Sequence, residues 1–181
     1  MGNRVMAVIQ WTLAIIGVIA LGIVAAGYFL PSTFEVRRSA VINAPADKVY
    51  DLIADPRNWK KWSAWNRRDP DMDVNYAGPA FGQGARFSWK SNSEGNGNMV
   101  FTRVVPDRRI EYVLAFPEYG LKSGGSFAFD PTPAGTRVVW INSGDVGTHP
   151  LKHYLAVAMD RLVGPDFEEG LANLKAIAEK P

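Results

Sequence analysis

The chain contains no cysteine, only two histidines and little net charge. Without cysteine there is no disulfide bond, no cysteine-ligated zinc and no thiol catalysis, while the cellular compartment stays open. A formal net charge of +2 over 181 residues is too small to indicate nucleic-acid binding. The sequence also lacks a G-x-S-x-G elbow, an H-E-x-x-H pair and a Walker sequence. We therefore predict no catalytic residue and no cofactor.

The two histidines, His149 and His153, are four residues apart, a spacing that can place two metal ligands on one helix face, with Asp145 as a third. Pro150 lies between them and suits the first position of a helix, which leaves His149 outside it. We therefore expect two surface histidines beside a loop and no metal site.

A long uncharged run occupies residues 5–30, interrupted by clearly polar side chains only at Gln10 and Thr12. As a helix it would be about 39 Å long, more than the roughly 30 Å hydrocarbon layer of a bilayer. A cleaved signal peptide is the alternative, but the run exceeds a typical signal h-region and no clear A-x-A site follows it. The sequence predicts a single-pass membrane anchor at residues 1–31 and a soluble domain at residues 32–181.

The charges beside this run leave its orientation open. The amino terminus and Arg4 favour a cytoplasmic N-terminus, whereas Arg37, Arg38 and Lys48 favour the reverse. We favour, by a narrow margin, a soluble domain outside the cytoplasm.

After the anchor, short runs of alternating polarity predict antiparallel strands. The first covers residues 33–43, with Arg38 as the only charged side chain on its apolar face. Pro45 then opens a helix that ends near Asp55. Six further strands are predicted at 74–76, 85–90, 99–105, 109–116, 126–130 and 136–143. Residues 119–125 are expected to form a loop.

A tryptophan-rich stretch at residues 55–68 carries Trp59, Trp62 and Trp65 at every third position, with five basic side chains among them. One interpretation is a lip over a cavity, with one or two tryptophans pointing inward. Another is a patch that faces a membrane, because tryptophan and basic residues suit the interface. The third is a short helix packed on the sheet with solvated basic residues. The sequence does not choose among them.

Residues 150–180 predict a long C-terminal helix, because apolar residues recur at helical spacing on both sides of Gly164 and Pro165. That glycine-proline pair is expected to kink or restart the helix. The predicted fold is α+β, with a curved antiparallel sheet of about seven strands wrapped on this helix.

This order of elements resembles the helix-grip fold, and the local sequence agrees. The segment VINAPADKVYDL at 41–52 is similar to the opening of the START-like superfamily that includes the polyketide cyclase/dehydrase group. Further similar segments lie at 55–65, 78–89, 135–138 and 167–175. The resemblance covers about residues 33–179 and implies a hydrophobic cavity between the sheet and the C-terminal helix. An N-terminal anchor is a departure from most members.

The cavity supplies the candidate binding residues, which are large apolar side chains on inward strand faces and on the C-terminal helix. They are Trp65, Phe87, Trp89, Tyr112, Leu114, Phe127, Trp140, Asn142, Tyr154 and Met159. Asn142 is included as an inward polar group, because it shares a strand face with Trp140. Glu111 is expected to face solvent.

Three functions remain open on the sequence. The first is a membrane-anchored module that binds an apolar small molecule such as a lipid, a quinone or a polyketide-like compound. The second is a cyclase- or dehydratase-like enzyme, which needs at least two convergent polar groups in the cavity. The third is a protein-interaction domain that uses the basic residues of the tryptophan-rich stretch.

Overall fold

The computed structural model describes residues 2–180. The apolar run forms one helix, α1, at Gly2–Gly27. From Arg4 the helix is exposed along nearly all of its length, with Gly27 at its end buried, and its length and composition suit either a membrane-spanning helix or a signal sequence. Because α1 is apolar on all sides, water alone is a poor environment for it.

After α1, the seven predicted strands form one antiparallel sheet with strand order β1-β7-β6-β5-β4-β3-β2. The strands are β1 Thr33–Ile42, β2 Asp73–Ala77, β3 Arg86–Lys90, β4 Gly97–Val105, β5 Arg109–Phe116, β6 Leu121–Thr132 and β7 Gly135–Asp145. The helices are α2 Ala46–Ala54, α3 Trp59–Trp62, α4 Ala64–Arg68 and α5 Pro150–Ala178.

Strand β6 departs from the prediction, because residues 121–125 were expected in a loop and instead begin the strand. Gly124 and Gly125 produced that expectation, since glycine usually weakens strands. At Gly125 the reason is a close approach: an added Cβ would overlap the Tyr112 ring and lie 2.6 Å from the Ile141 carbonyl oxygen. The glycine therefore makes room for a tyrosine ring rather than for a turn.

Helix α5 begins at Pro150 as predicted, but it does not restart at Gly164 and Pro165. Arg38 crosses the helix at Gly164, where any Cβ would overlap its guanidinium group. That guanidinium donates to Asp160 at 2.7 Å and to Glu168 at 2.6 Å, one turn on either side. The inward arginine of β1 therefore connects both sides of the expected break.

At one end of the sheet the strand termini lie near the end of α1. Thr33 pairs with Asp145 there, and Phe116 pairs with Leu121; we call this end of the sheet the rim. Helix α1 ends only six residues before β1 begins, and α5 starts five residues after β7 ends. The rim therefore lies close to both the apolar helix and the start of α5.

Candidate ligand-binding cavity

A cavity of about 180 Å³ lies between the concave face of the sheet and helices α4 and α5. Because a water molecule occupies about 30 Å³ of the liquid, the space exceeds that of a single buried water. Eight of the ten predicted residues line it: Trp65, Phe87, Trp89, Tyr112, Leu114, Trp140, Asn142 and Met159. Whether these side chains bind a ligand stays a prediction.

Two predicted residues lie elsewhere and are corrected here. Phe127 is fully buried behind the cavity wall, between Tyr112 and Trp140. Tyr154 lies on the outer face of α5, where its hydroxyl donates to the Ile23 carbonyl oxygen at 2.8 Å. Leu155 and Met159, one turn apart, line the cavity from that part of α5. The prediction therefore placed Tyr154 on the wrong face of α5.

Several lining residues were absent from the prediction. Trp59 and Phe167 lie at the packed end of the cavity, whereas Phe34, Phe116 and Leu155 lie towards the rim. Alternation along β1 already gave Phe34 an inward direction. Nothing in the sequence separated Phe167 from an ordinary core residue, because the cavity ends against it.

A dense aromatic stack closes the packed end of the cavity. The rings of Trp140 and Phe167 are parallel, with centroids 3.8 Å apart. Trp65 meets the edge of this stack at 5.9 Å from Trp140, and Trp59 meets it at 6.2 Å. Such aromatic pairs each contribute about 0.5–1.5 kcal/mol beyond burial. This wall is therefore rigid and apolar.

The tryptophan-rich stretch forms the short helices α3 and α4, with Trp59 and Trp65 lining the cavity. Trp62 is fully buried, and its indole N–H donates to the Leu52 carbonyl oxygen at 2.9 Å. The cavity-lip and short-helix interpretations therefore both hold in part. The membrane-patch interpretation fails for the tryptophans, since Trp59 and Trp62 are buried in the domain.

The Tyr112 hydroxyl is a polar group within the mostly apolar wall. The Tyr112 hydroxyl accepts from the Trp140 indole N–H at 2.9 Å and faces the Asn142 side-chain amide at 3.4 Å. It also lies 3.4 Å from the Ile141 carbonyl oxygen, to which it donates. Burial raises the pKa of Tyr112 to about 12, against the opposing effect of the two hydrogen bonds. The hydroxyl is therefore neutral, and its hydrogen-bonding capacity is used within the protein.

Asn142, by contrast, keeps hydrogen-bonding capacity for the cavity. It is 5% exposed, and its side-chain oxygen Oδ1 accepts no hydrogen bond among the described residues. Every fully buried side-chain nitrogen or oxygen in the described chain has a partner, so Oδ1 must be accessible from the cavity. The amide oxygen can accept a hydrogen bond from a ligand hydroxyl, and the second hydrogen of the nitrogen can donate to a ligand carbonyl.

Exposed side chains mark where the cavity opens. Lys122 and Asp145 lie at the rim, are exposed, and also border the cavity. Glu94 borders it from the β3–β4 loop and bonds to Arg68 at 2.8 Å. Arg68 also pairs with Asp166 on α5, and these bonds raise the pKa of Arg68 above its usual value. The loop, α4 and α5 are thereby joined beside the opening.

The histidine prediction is half wrong. His149 is exposed and precedes α5 as expected, but His153 is buried. Its two ring nitrogens face the carbonyl oxygens of Gly27 at 2.8 Å and Gly147 at 3.0 Å. His153 therefore ties α5 to the end of α1, and the described residues contain no cluster of three or more potential metal ligands.

The Polyketide cyclase / dehydrase and lipid transport family model matches residues 33–179, which span every strand, α5 and the cavity. The chain belongs to this family. No curated protein matches the chain significantly. Membership confirms the START-like resemblance and leaves the individual activity open, because one fold hosts many functions.

Solved structures show the same fold. A protein from Chromobacterium violaceum superposes with a TM-score of 0.60 at 18% identity, over 81% of this chain and 98% of its own. One from Mesorhizobium loti gives 0.57 at 21% identity, over 81% and 99%. The di-domain ARO/CYC StfQ from the steffimycin biosynthetic pathway gives 0.63 at 15% identity, over 81% and 51%. At these identities the likeness establishes the fold alone.

Proposed function

We propose that this protein is a membrane-anchored binding domain for an apolar small molecule held between the sheet and α5. The observation that carries the proposal is the mostly apolar cavity, in which the Asn142 amide keeps free hydrogen-bonding capacity. Aromatic rings and thioether or aliphatic side chains such as Met159 and Leu114 supply the rest of the lining. Residues 1–31 act as the anchor and residues 32–181 as the binding domain.

The polar group suits recognition better than proton transfer. A general acid or base works best with a pKa near the working pH, and that of Tyr112 is raised to about 12. Asn142 does not titrate, so it can only donate or accept a hydrogen bond. The ligand class that fits is a largely apolar molecule with one hydroxyl or carbonyl group, such as a lipid, a quinone or a polyketide-like compound.

The experiment is native mass spectrometry of the full chain, purified in mild detergent and incubated with an extract of its source membranes. We expect a discrete adduct on the wild type and its loss in Met159→Trp, which places an indole in the cavity. Ala172→Trp, on the exposed outer face of the same helix, should keep the adduct. A wild-type chain that stays free of adducts after this exposure would contradict the proposal.

Asn142→Leu tests the polar group separately. It keeps the side chain close in volume but removes both amide atoms, so a ligand with a hydroxyl or carbonyl group should bind several-fold more weakly. If the adduct on Asn142→Leu matches that on the wild type in mass and in occupancy, Asn142 has no part in recognition.

A further inference from the structure

The end of α1 is fixed to the start of α5. Gly27 is buried there, and an added Cβ would lie 2.5 Å from the Pro150 carbonyl oxygen. The His153 ring contacts the Gly27 carbonyl oxygen, and the Tyr154 hydroxyl donates to the Ile23 carbonyl oxygen. Backbone packing and two side-chain hydrogen bonds thus hold the two helices together.

This junction fixes where the start of α5 lies along the axis of α1. Ile23 lies four residues before the end of α1, about 6 Å along its axis. A tyrosine hydroxyl at that height corresponds to the aromatic belt that flanks membrane-spanning helices. The first turns of α5 therefore lie beside the last turn of α1, where a bilayer's headgroup layer would be.

The first half of α5 carries an apolar stripe on its outer face. Leu151, Tyr154, Val157 and Leu162 are 47%, 38%, 56% and 58% exposed, and we call them the outer stripe. Tyr28 and Phe29, just after α1, are 66% and 89% exposed. Aromatic and aliphatic side chains grouped in this way suit partial burial among lipids.

The charges near the stripe match an anionic surface. Lys152 and Arg161 are exposed on this half of α5. Its one carboxylate, Asp160, is held by Arg38, and that hydrogen bond lowers the pKa of Asp160. The first half therefore has a net positive charge outward. Basic residues beside a membrane are attracted to anionic lipids.

The cavity opens on the same side. Phe34 follows Gly27 by seven residues and lines the cavity, and Leu155 lines it from the helix that carries the outer stripe. The exposed liners Lys122 and Asp145 belong to the same rim. An apolar ligand that leaves a bilayer at this height meets the opening with little exposure to water.

We propose that the outer stripe lies in the headgroup layer of an anionic bilayer beside α1, so that the cavity opens directly onto lipid. This inference rests on the proposed membrane anchor. It commits to the bilayer as the partner of the stripe, because the stripe continues the surface that α1 already presents to lipid.

The absence of cysteine makes the test direct, since any introduced cysteine is unique. The full chain is reconstituted into vesicles of mixed phosphatidylcholine and phosphatidylglycerol. An environment-sensitive fluorophore is attached in turn to Leu151→Cys, Val157→Cys and Leu162→Cys. Ala172→Cys is the matched control, on the same outer side of α5 but in its second half.

We expect the three stripe labels to emit at shorter wavelength and to be quenched by spin-labelled lipid, whereas the Ala172→Cys label is quenched only by aqueous iodide. Stripe labels that behave like the control overturn the inference. Ala20→Cys in α1 separates the two proposals. If its label is quenched by lipid while the stripe labels are not, the anchor stands and only the inference fails; if its label is aqueous, both fail.

Discussion

The two halves of α5 belong to one uninterrupted helix and yet meet different surroundings. The second half, after Gly164, buries Phe167, Leu171, Leu174 and Ala178 against the sheet and the short helices. Its outer face carries no exposed large apolar side chain among the described residues up to 180. The first half buries little, lines the cavity with Leu155 and Met159, and exposes the outer stripe. The second half packs in the hydrophobic core, and the first half covers the cavity.

The difference lies in what each half covers. Beneath the second half, aromatic rings fill the interior, and Gly170 lets the helix approach until an added Cβ would lie 3.1 Å from the Trp140 ring. Beneath the first half, the half-buried Phe87 and Trp89 leave the cavity between sheet and helix. Stability should therefore depend mainly on the second half and ligand binding on the first.

The largest effect is expected when one leucine in each half of α5 is truncated to alanine. Leu174→Ala should lower the free energy of unfolding by about 2–5 kcal/mol, because Leu174 is fully buried and its loss leaves a void. Leu162→Ala, the matched change at an exposed site, should cost less than about 0.5 kcal/mol. Urea denaturation of the full chain in detergent, followed by tryptophan fluorescence, measures both. Equal costs would remove the distinction between the halves.

The cavity wall can be tested through pH. An unfolded tyrosine ionises near pH 10, whereas burial raises the pKa of Tyr112 to about 12. The unfolded state therefore binds fewer protons between these values, so the stabilisation is full below pH 10 and is lost as the pH rises through 12. A shift of this size is worth at most about 2–3 kcal/mol.

Tyr112→Phe should make the fall in unfolding free energy above pH 10 shallower than in the wild type. It also lowers stability at neutral pH, because Trp140 and Asn142 lose their acceptor, at a cost of about 1–3 kcal/mol. Tyr119→Phe, at an exposed site outside the cavity, is the control. If both variants keep the wild-type slope, the hydroxyl of Tyr112 is solvated.

The sequence predicted the strands and the long helix better than it predicted individual contacts between them. Alternation and helical spacing were enough to predict seven strands, the long helix and eight of the residues that line the cavity, because buried positions recur with the period of each element. Tyr154 and His153 were misplaced because their partners lie on α1, more than a hundred residues away. Local spacing cannot register such a contact. Gly125 was misread for the same reason, since its neighbour Tyr112 is on another strand.

A double-mutant cycle on Gly164 and Arg38 tests the boundary between the two halves of α5. Gly164→Ala gains about 1 kcal/mol of helix propensity but displaces the Arg38 guanidinium. The bonds of Arg38 run to exposed carboxylates, so solvent screening keeps their contribution to stability small. The single change should be close to neutral. In an Arg38→Met background the same change should stabilise by about 1 kcal/mol. An identical effect in both backgrounds would show that Arg38 does not restrict the site.

The smallest expected effect concerns the outer stripe itself. Leu151→Gln with Leu162→Gln should change the unfolding free energy in detergent by less than about 0.5 kcal/mol, since neither side chain packs in the domain. The adduct formed by ligand supplied in detergent should also persist, because neither residue lines the cavity. Ligand supplied in anionic vesicles should load more slowly than into the wild type, because the stripe no longer seats the rim in lipid. Slower loading from both sources would instead mean that these substitutions damage the cavity, and the two halves would not be separable in function.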